Sequence, residues 1–235
     1  APSEKMGEKL DFLVQKKIPA IWFCNGINLE KHAEIAIKAI KSGHIIGNHS
    51  YEHLHFSDLS LDNVYEQIIK ADKIIKYLYE KAGVINYPKY FRFPYGDKEG
   101  DPKKMETIQN LLKKNGYHRP PFSEIKYQYF QSEIAGDVDW LWTYDTYDWS
   151  VIAESLGAEP LYGIDSLEKL YARMEENVPE GGRGLQTDSR EIILIHDHIE
   201  STNFFPNIIN RLLKKDIVFI FPTEVKKYRW IMKSE

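Results

Sequence analysis

Apolar residues divide the chain into helical stripes and short, fully apolar runs. Met6, Leu10, Leu13 and Val14 recur at i, i+4, i+7 and i+8 behind Ser3, which predicts an amphipathic helix with Ser3 as its N-cap. The run at 19–24, closed by Asn25-Gly26, reads as a buried strand. Ala33, Ala36, Ile37 and Ile40 mark a second helix that stops at Gly43, and 45–48 is the next strand. Ser60 opens the longest helix, where Val64, Ile68, Ile69, Ala71, Ile75, Leu78 and Tyr79 keep one stripe up to Gly83. Residues 90–93 form a short strand ended by Pro94, and Pro102, Met105, Ile108, Leu111 and Leu112 predict a helix closing at Gly116. From Tyr117 to Gly136 the period is lost, as in a loop carrying one irregular strand. Strands follow at 140–144 and 192–195, with a helix between them headed by Ser166 and carrying Leu167, Leu170, Tyr171 and Met174. Ile208, Ile209, Leu212 and Leu213 form the last helix, and 217–221 the final strand.

Strands apolar on both faces that alternate with helices imply a parallel sheet covered by helices. No Gly/Ser-rich linker, repeat or low-complexity tract interrupts the pattern, so 1–235 reads as a single domain. Both a doubly wound open sheet and a (β/α) barrel fit the alternation, and the polar residues decide between them. At 235 residues a chain buries about 70 to 75% of its unfolded surface and needs no staples. Cys24 is the single cysteine, which excludes a disulfide within the chain. A net charge of −4 without a long Lys/Arg run argues against a nucleic-acid binder. No apolar stretch reaches the roughly 18 to 20 residues that span a bilayer.

Four predicted strands carry catalytic residue types at or just beyond their ends. They are His49 after 45–48, Arg92 within 90–93, Asp145 and Asp148 after 140–144, and His196 after 192–195. In a (β/α) barrel the carboxyl ends of all strands converge on one face, where such enzymes keep their sites. His49 and His53, four apart, fall on one side of a helical turn and suit one divalent metal; alone, they fit two surface histidines equally well. His55 is read as a bystander. The same segment spells H-x-x-E-H with Glu52 as a base, a zinc-protease motif that belongs inside a helix rather than after a strand and a Gly-Asn turn. Arg92 stands in an aromatic strand, where a buried guanidinium needs a carboxylate partner. Pro94 and Gly96 set a turn able to present a backbone N–H. A carboxylate on one ring nitrogen of His196 would raise its pKa and fix its tautomer, giving a general acid; the same residues also read as a surface His and a capping Asp. Trp22, Trp140 and Trp142 read as core.

Taken in order, His49-Ser-x-x-His53, Arg92-x-Pro-Tyr95-Gly, Asp145-x-x-Asp148-Trp149 and Leu194-x-His196 resemble the motifs of the polysaccharide deacetylase family, the NodB-homology carbohydrate esterases. The resemblance spans about residues 1 to 221. It implies a distorted (β/α)7 TIM-like barrel and a metal-dependent hydrolase that removes acetyl groups from N- or O-acetylated sugars, GlcNAc-type units above all. It implies His49 and His53 as metal ligands, with zinc the best match to a two-His site. Arg92 would orient the catalytic base, and the Tyr95 N–H would donate to the oxyanion. Asp148 would bond His196 as general acid, and Trp149 and Leu194 would wall an acetyl pocket. An acetylated oligo- or polysaccharide partner makes the cell envelope or exterior the expected location.

One departure stands out. The family's first motif is a strand ending in Asp-Asp, followed by Gly-Pro and often Ser; the first Asp is the base and the second the third metal ligand. Ala1-Pro2-Ser3 resembles the tail of that motif, and no Asp-Asp pair occurs in the sequence. The expectation is a first strand with both aspartates upstream of Ala1; the alternative is a catalytically inactive glycan-binding relative.

Overall fold

The computed structural model describes residues 1–98, 101–119, 125, 127, 130, 137–176, 184, 185 and 190–220. Its elements run α1 (Met6–Gln15), β1 (Ile21–Cys24), α2 (Gly26–Lys31), α3 (Ala33–Lys41), β2 (Ile45–Asn48), α4 (Leu61–Lys81), α5 (Pro102–Lys114), β3 (Tyr144–Asp145), α6 (Leu167–Met174), β4 (Ile193–Leu194) and α7 (Phe205–Lys214). The caps follow sequence chemistry. Ser60 accepts the Asn63 N–H at 3.2 Å and Ser166 the Lys169 N–H at 3.4 Å; Asp101 caps α5, which has Pro at its first position. Asn25 begins α2 by accepting the Asn28 N–H at 3.0 Å, a short helix that the hydrophobic stripe does not reveal. Ser3 departs from expectation: α1 starts at Met6 without a side-chain cap, and the Ser3 hydroxyl donates to Asp197 instead.

The strands are parallel, as expected. β1 pairs with β2 from Ile21↔Ile45 to Cys24↔Asn48, and β3 with β4 as Tyr144↔Ile193 and Asp145↔Leu194. Single bridges Asn48↔Phe91 and Phe91↔Asp139 continue the first pair sideways. A mixed α/β fold results, but among the described residues the strands do not close into the expected (β/α)7 barrel. The strands are shorter than the apolar runs that announce them. A side chain takes over one bond of the ladder, with Thr143 Oγ1 accepting the Ile192 N–H at 2.8 Å. The segment 90–93 contributes only the Phe91 bridges. Residues 217–220 form no strand, and Phe221, like most of 120–136, lies outside the described residues.

The main core gathers Leu10 and Leu13 of α1, Ile40 of α3, Ile75 and Leu78 of α4, Leu170 of α6, and Ile208 and Leu212 of α7. A second cluster packs Phe91 and Phe93 against Val64, Ile68, Ile108 and Leu112. Each fully buried Leu or Ile side chain contributes about 2 kcal/mol. Gly47 lets β1 and β2 approach: a Cβ there would stand 2.8 Å from the Phe23 ring. Among the described residues no helix is long and apolar enough to cross a membrane.

Asn48, 1% exposed, ends β2 and joins these layers. Its N–H donates to the Tyr90 carbonyl at 2.8 Å and its carbonyl accepts the Arg92 N–H at 3.0 Å. Its side-chain amide donates to the Ile68 carbonyl at 3.0 Å and to the Tyr117 hydroxyl at 2.6 Å, while Oδ1 accepts the Ser50 N–H at 2.9 Å. Asn48→Ala leaves these buried groups unmatched and is expected to lower unfolding free energy by about 2 to 3 kcal/mol in urea denaturation. A loss below about 0.5 kcal/mol, the range of an ordinary surface change, would contradict this role.

Candidate active site

Within each pair the strands are parallel; His49 follows β2 and Arg92 the Phe91 bridge beside it, while Asp148 and His196 lie just past β3 and β4. The loop after β2 is not the helical turn expected for an i, i+4 pair. Ser50 (φ 64°) and His53 (φ 62°) both take left-handed backbone. The loop is held by the His53 N–H on Ser50 Oγ at 3.0 Å and by the Gly26 and Ile27 N–H groups on the Ser50 and Tyr51 carbonyls at 3.0 and 3.1 Å. The two imidazoles nonetheless meet, with Nε2 atoms 3.1 Å apart. His49 Nδ1 donates to the Arg92 carbonyl at 2.7 Å, which fixes the tautomer and leaves an Nε2 lone pair.

Burial, more than the neighbouring positive charge, pushes the His53 imidazole down to about 4 and that of His49 well below its usual range. Both rings are therefore neutral near pH 7, as ligands must be. Bonds of 2.0 to 2.1 Å at tetrahedral angles put two nitrogens about 3.3 Å apart, close to the observed spacing, so the pair fits a divalent ion such as zinc. Among the described residues no group of three His, Cys, Asp or Glu forms a complete metal set. Glu52 is turned away. It exchanges hydrogen bonds with Gln67 of α4, its N–H to Oε1 at 2.7 Å and its carboxylate from Nε2 at 2.5 Å, which leaves the protease arrangement unsupported.

Arg92 is 9% exposed, and the carboxylate partner expected for it is not found among the described residues. Its Nε donates to the Trp140 carbonyl at 2.5 Å, and its guanidinium lies 4.3 Å from the Phe23 ring centre and 5.7 Å from that of Trp142. Burial lowers its pKa to about 10, against the nearby charges of Asp139 and Asp145. Asp139 is itself engaged by Lys98 at 2.8 Å. Next along the chain, Pro94–Gly96 forms a tight turn closed by the Gly96 and Asp97 N–H groups, with Tyr95 at φ 59°; the Tyr95 N–H takes no part in that closure.

Asp148 is fully buried beneath His196. Oδ1 receives the ring Nδ1–H at 2.9 Å and the Thr146 hydroxyl at 3.0 Å, and Oδ2 the His196 backbone N–H at 3.0 Å. Burial favours neutral forms of both groups, but mutual attraction and these hydrogen bonds outweigh it. The Asp148 carboxyl is held below its usual range and His196 above its own. With Nδ1 committed to Asp148, Nε2 of the half-exposed ring is the exchangeable position. The positive charge of His196 bears on His53 and that of Arg92 on His196, so the two halves lie within electrostatic reach of each other. Leu194 is buried in β4, and Trp149 is half-buried against the main core.

Three features escape sequence reasoning. Lys9, 2% exposed, donates to Asp197 Oδ1 at 3.0 Å, the His198 carbonyl at 2.6 Å and Ser201 Oγ at 3.1 Å, while Asp197 also accepts the Ser3 N–H at 2.6 Å. His198 stacks on His196 at 5.6 Å between ring centres, and His55 stacks on Tyr95 at 3.9 Å. The H-D-H run at 196–198 was the one visible hint.

A family model described as polysaccharide deacetylase matches residues 1–120. The chain is 37% identical over 103 residues to a peptidoglycan-N-acetylglucosamine deacetylase of Bacillus cereus, covering 44% of this chain and 36% of the relative. It is 26% identical over 216 residues to chitin deacetylase 2 of Saccharomyces cerevisiae, covering 92% and 53%. The chain thus spans about half or less of the length of these relatives. A family 4 carbohydrate esterase from Streptomyces lividans, solved with acetate, superposes with a TM-score of 0.59 at 20% identity over 92% of this chain and 84% of that one. A CE4 family pseudoenzyme from Bacillus anthracis gives 0.57 at 19% identity over 90% and 57%. At such identities the likeness is one of fold.

The Asp148–His196 pair makes a direct spectroscopic prediction. In an NMR pH titration the His196 ring should lose its proton above the ordinary histidine pKa. In Asp148→Asn, where burial is left unopposed by that carboxylate, the midpoint should fall markedly. An unchanged midpoint would remove Asp148 as the cause.

Proposed function

Because the chain belongs to the polysaccharide deacetylase family, we propose that it is a metal-dependent deacetylase acting on N-acetylated, GlcNAc-type sugars in a glycan. The observation that supports this best is a neutral, mutually facing His49–His53 pair within electrostatic reach of a carboxylate-held His196. His49 and His53 would hold the metal, with zinc suited to their two imidazoles. When bound, such an ion supplies Lewis-acid polarisation of the acetyl carbonyl and acidifies water.

The chain's own described residues account for proton delivery to the leaving group, oxyanion stabilisation and the acetyl pocket, while a carboxylate base to take the proton of the attacking water is not among them. His196, protonated and oriented by Asp148, delivers a proton from Nε2 to the leaving sugar nitrogen as the C–N bond breaks, so that water and amide yield acetate and amine. The Tyr95 N–H, free of the turn's own bonds, donates to the oxyanion that develops on the acetyl carbonyl. Arg92, lacking an ion-pair partner among the described residues, offers its guanidinium to a carboxylate base. Leu194 and Trp149 form the apolar wall for the acetyl methyl. A glycan substrate of this kind would favour the cell envelope or the exterior as its place of action. The incomplete set of metal donors among the described residues supports a second reading, a glycan-binding relative without turnover.

Acetate release from acetylated chito-oligosaccharides and peptidoglycan fragments tests both readings, on this chain and on any longer natural form of it. A chelator is expected to abolish release, and His196→Ala to lower kcat by about 100- to 10,000-fold. Because the raised pKa belongs to a cationic acid, activity should fall as pH rises through it, and Asp148→Asn should move that alkaline limb to lower pH. Glycan binding without acetate release would favour the binding relative; chelator-insensitive release would overturn the metal mechanism.

A further inference from the structure

The loop after β2 and the Pro94–Gly96 turn touch through a chain of contacts that neither motif accounts for. The Tyr95 ring, 59% exposed as a residue, lies parallel to His55, with centres 3.9 Å apart and planes 5° apart. It also leans on His53, with centres 4.4 Å apart and planes at 56°. His55 Nδ1 stands 3.4 Å from Asp97 Oδ2. That oxygen accepts the Ser57 N–H at 2.9 Å and the Ser57 hydroxyl at 2.8 Å, while the Asp97 N–H closes the turn on the Pro94 carbonyl at 2.9 Å. Lys104 of α5 fastens the end of the loop by donating to the Phe56 and Ser57 carbonyls at 2.6 and 2.9 Å.

Tyr95 needs such support. A residue with a Cβ does not rest at φ 59° by preference, and the direction of its N–H follows from that backbone. His53 is in the same position, at φ 62° and in ring contact with Tyr95. His55 touches Tyr95 and Asp97, and so links the loop that carries His53 to the turn that carries the Tyr95 N–H.

We infer that His55 is a positioning residue: stacked on Tyr95 and set against Asp97, it fixes the Tyr95 N–H toward the site and the His53 ring in register with His49. Its effect on turnover rests on the deacetylase reading; its effects on the turn and on metal affinity do not. The test compares the wild-type chain with His55→Ala and with His55→Phe, which keeps a flat ring for stacking. In metal-free protein, amide hydrogen exchange at Gly96 and Asp97 should quicken about fivefold in His55→Ala and return to within about twofold of wild type in His55→Phe, in line with the worth of one aromatic pair. Calorimetric titration with zinc should show about tenfold weaker binding in His55→Ala, with recovery in His55→Phe. In acetate release, kcat should fall about tenfold in His55→Ala with KM nearly unchanged, and recover in His55→Phe. Equal exchange rates in all three proteins, at equal melting temperature, would overturn the inference, as would faster exchange that Phe does not rescue. Altered exchange with unaltered zinc affinity and kcat would reduce His55 to a structural residue. If wild type releases no acetate while exchange and zinc affinity follow the expected order, the deacetylase reading fails and the positioning role stands.

Discussion

Asn48 is the point at which backbone pairing and site geometry become one constraint. A parallel ladder fixes which strand ends lie side by side, but not where the chain goes next. Asn48 settles both. Its backbone spans the 90–92 segment, its amide reaches α4 and Tyr117, and its Oδ1 turns the Ser50 N–H so that the loop can curl back toward His49. An aspartate would supply the acceptor but lose both donors, and a leucine would lose all three contacts, so the side-chain amide is needed for its two-sided bonding. Sheet, helix layer and His loop are thereby referred to one buried group.

The same physical environment sets the histidines on opposite courses. Burial disfavours the imidazolium at His49, His53 and His196 alike. For the first two the nearest charged neighbours are also positive, so burial and repulsion act together and the rings stay neutral. His196 differs because a fully buried carboxylate, Asp148, receives its Nδ1–H and, with a smaller contribution from the charge of Asp145, reverses the sign. Low polarity strengthens both outcomes: it raises the cost of an unpaired charge and deepens the attraction of a paired one. A difference in partners alone holds two neighbouring imidazoles toward the neutral form and a third toward the charged one.

Much of this was legible in the sequence. The buried runs located the strands, and the residues just beyond them, His49, Asp148 and His196, stand at the carboxyl ends as expected. What could not be read has identifiable causes. At the start of the 192–195 run the Thr143 hydroxyl takes the Ile192 N–H from the ladder, and a hydroxyl in an apolar run looks like an ordinary β-former. The His49–His53 loop turns through left-handed backbone at Ser50 and His53, where no glycine signals the change from helical spacing. Arg92 meets aromatic rings and a carbonyl where a carboxylate was expected, because its two nearest acids do not reach it and one is held by Lys98. The pairing of Lys9 with Asp197 joins residues 188 apart in sequence, which no local pattern encodes.

That last pairing shows why the orientation of His196 is determined from two sides. Along an extended segment successive side chains point to opposite faces. His196 and His198 share one face, consistent with their stacked rings, and Asp197 faces the other way, into α1. There Lys9 spends all three ammonium hydrogens on Asp197, the His198 carbonyl and Ser201, so the cation has no unmet demand that would draw the segment elsewhere. Breaking such a buried pair by removing one partner costs about 3 to 5 kcal/mol, far more than the pair adds over an apolar alternative. Its role is therefore to forbid other placements of the segment. Asp148 fixes the His196 ring from one side and the Lys9–Asp197 pair fixes its backbone from the other, which leaves Nε2 as the one polar atom of the ring free to exchange a proton.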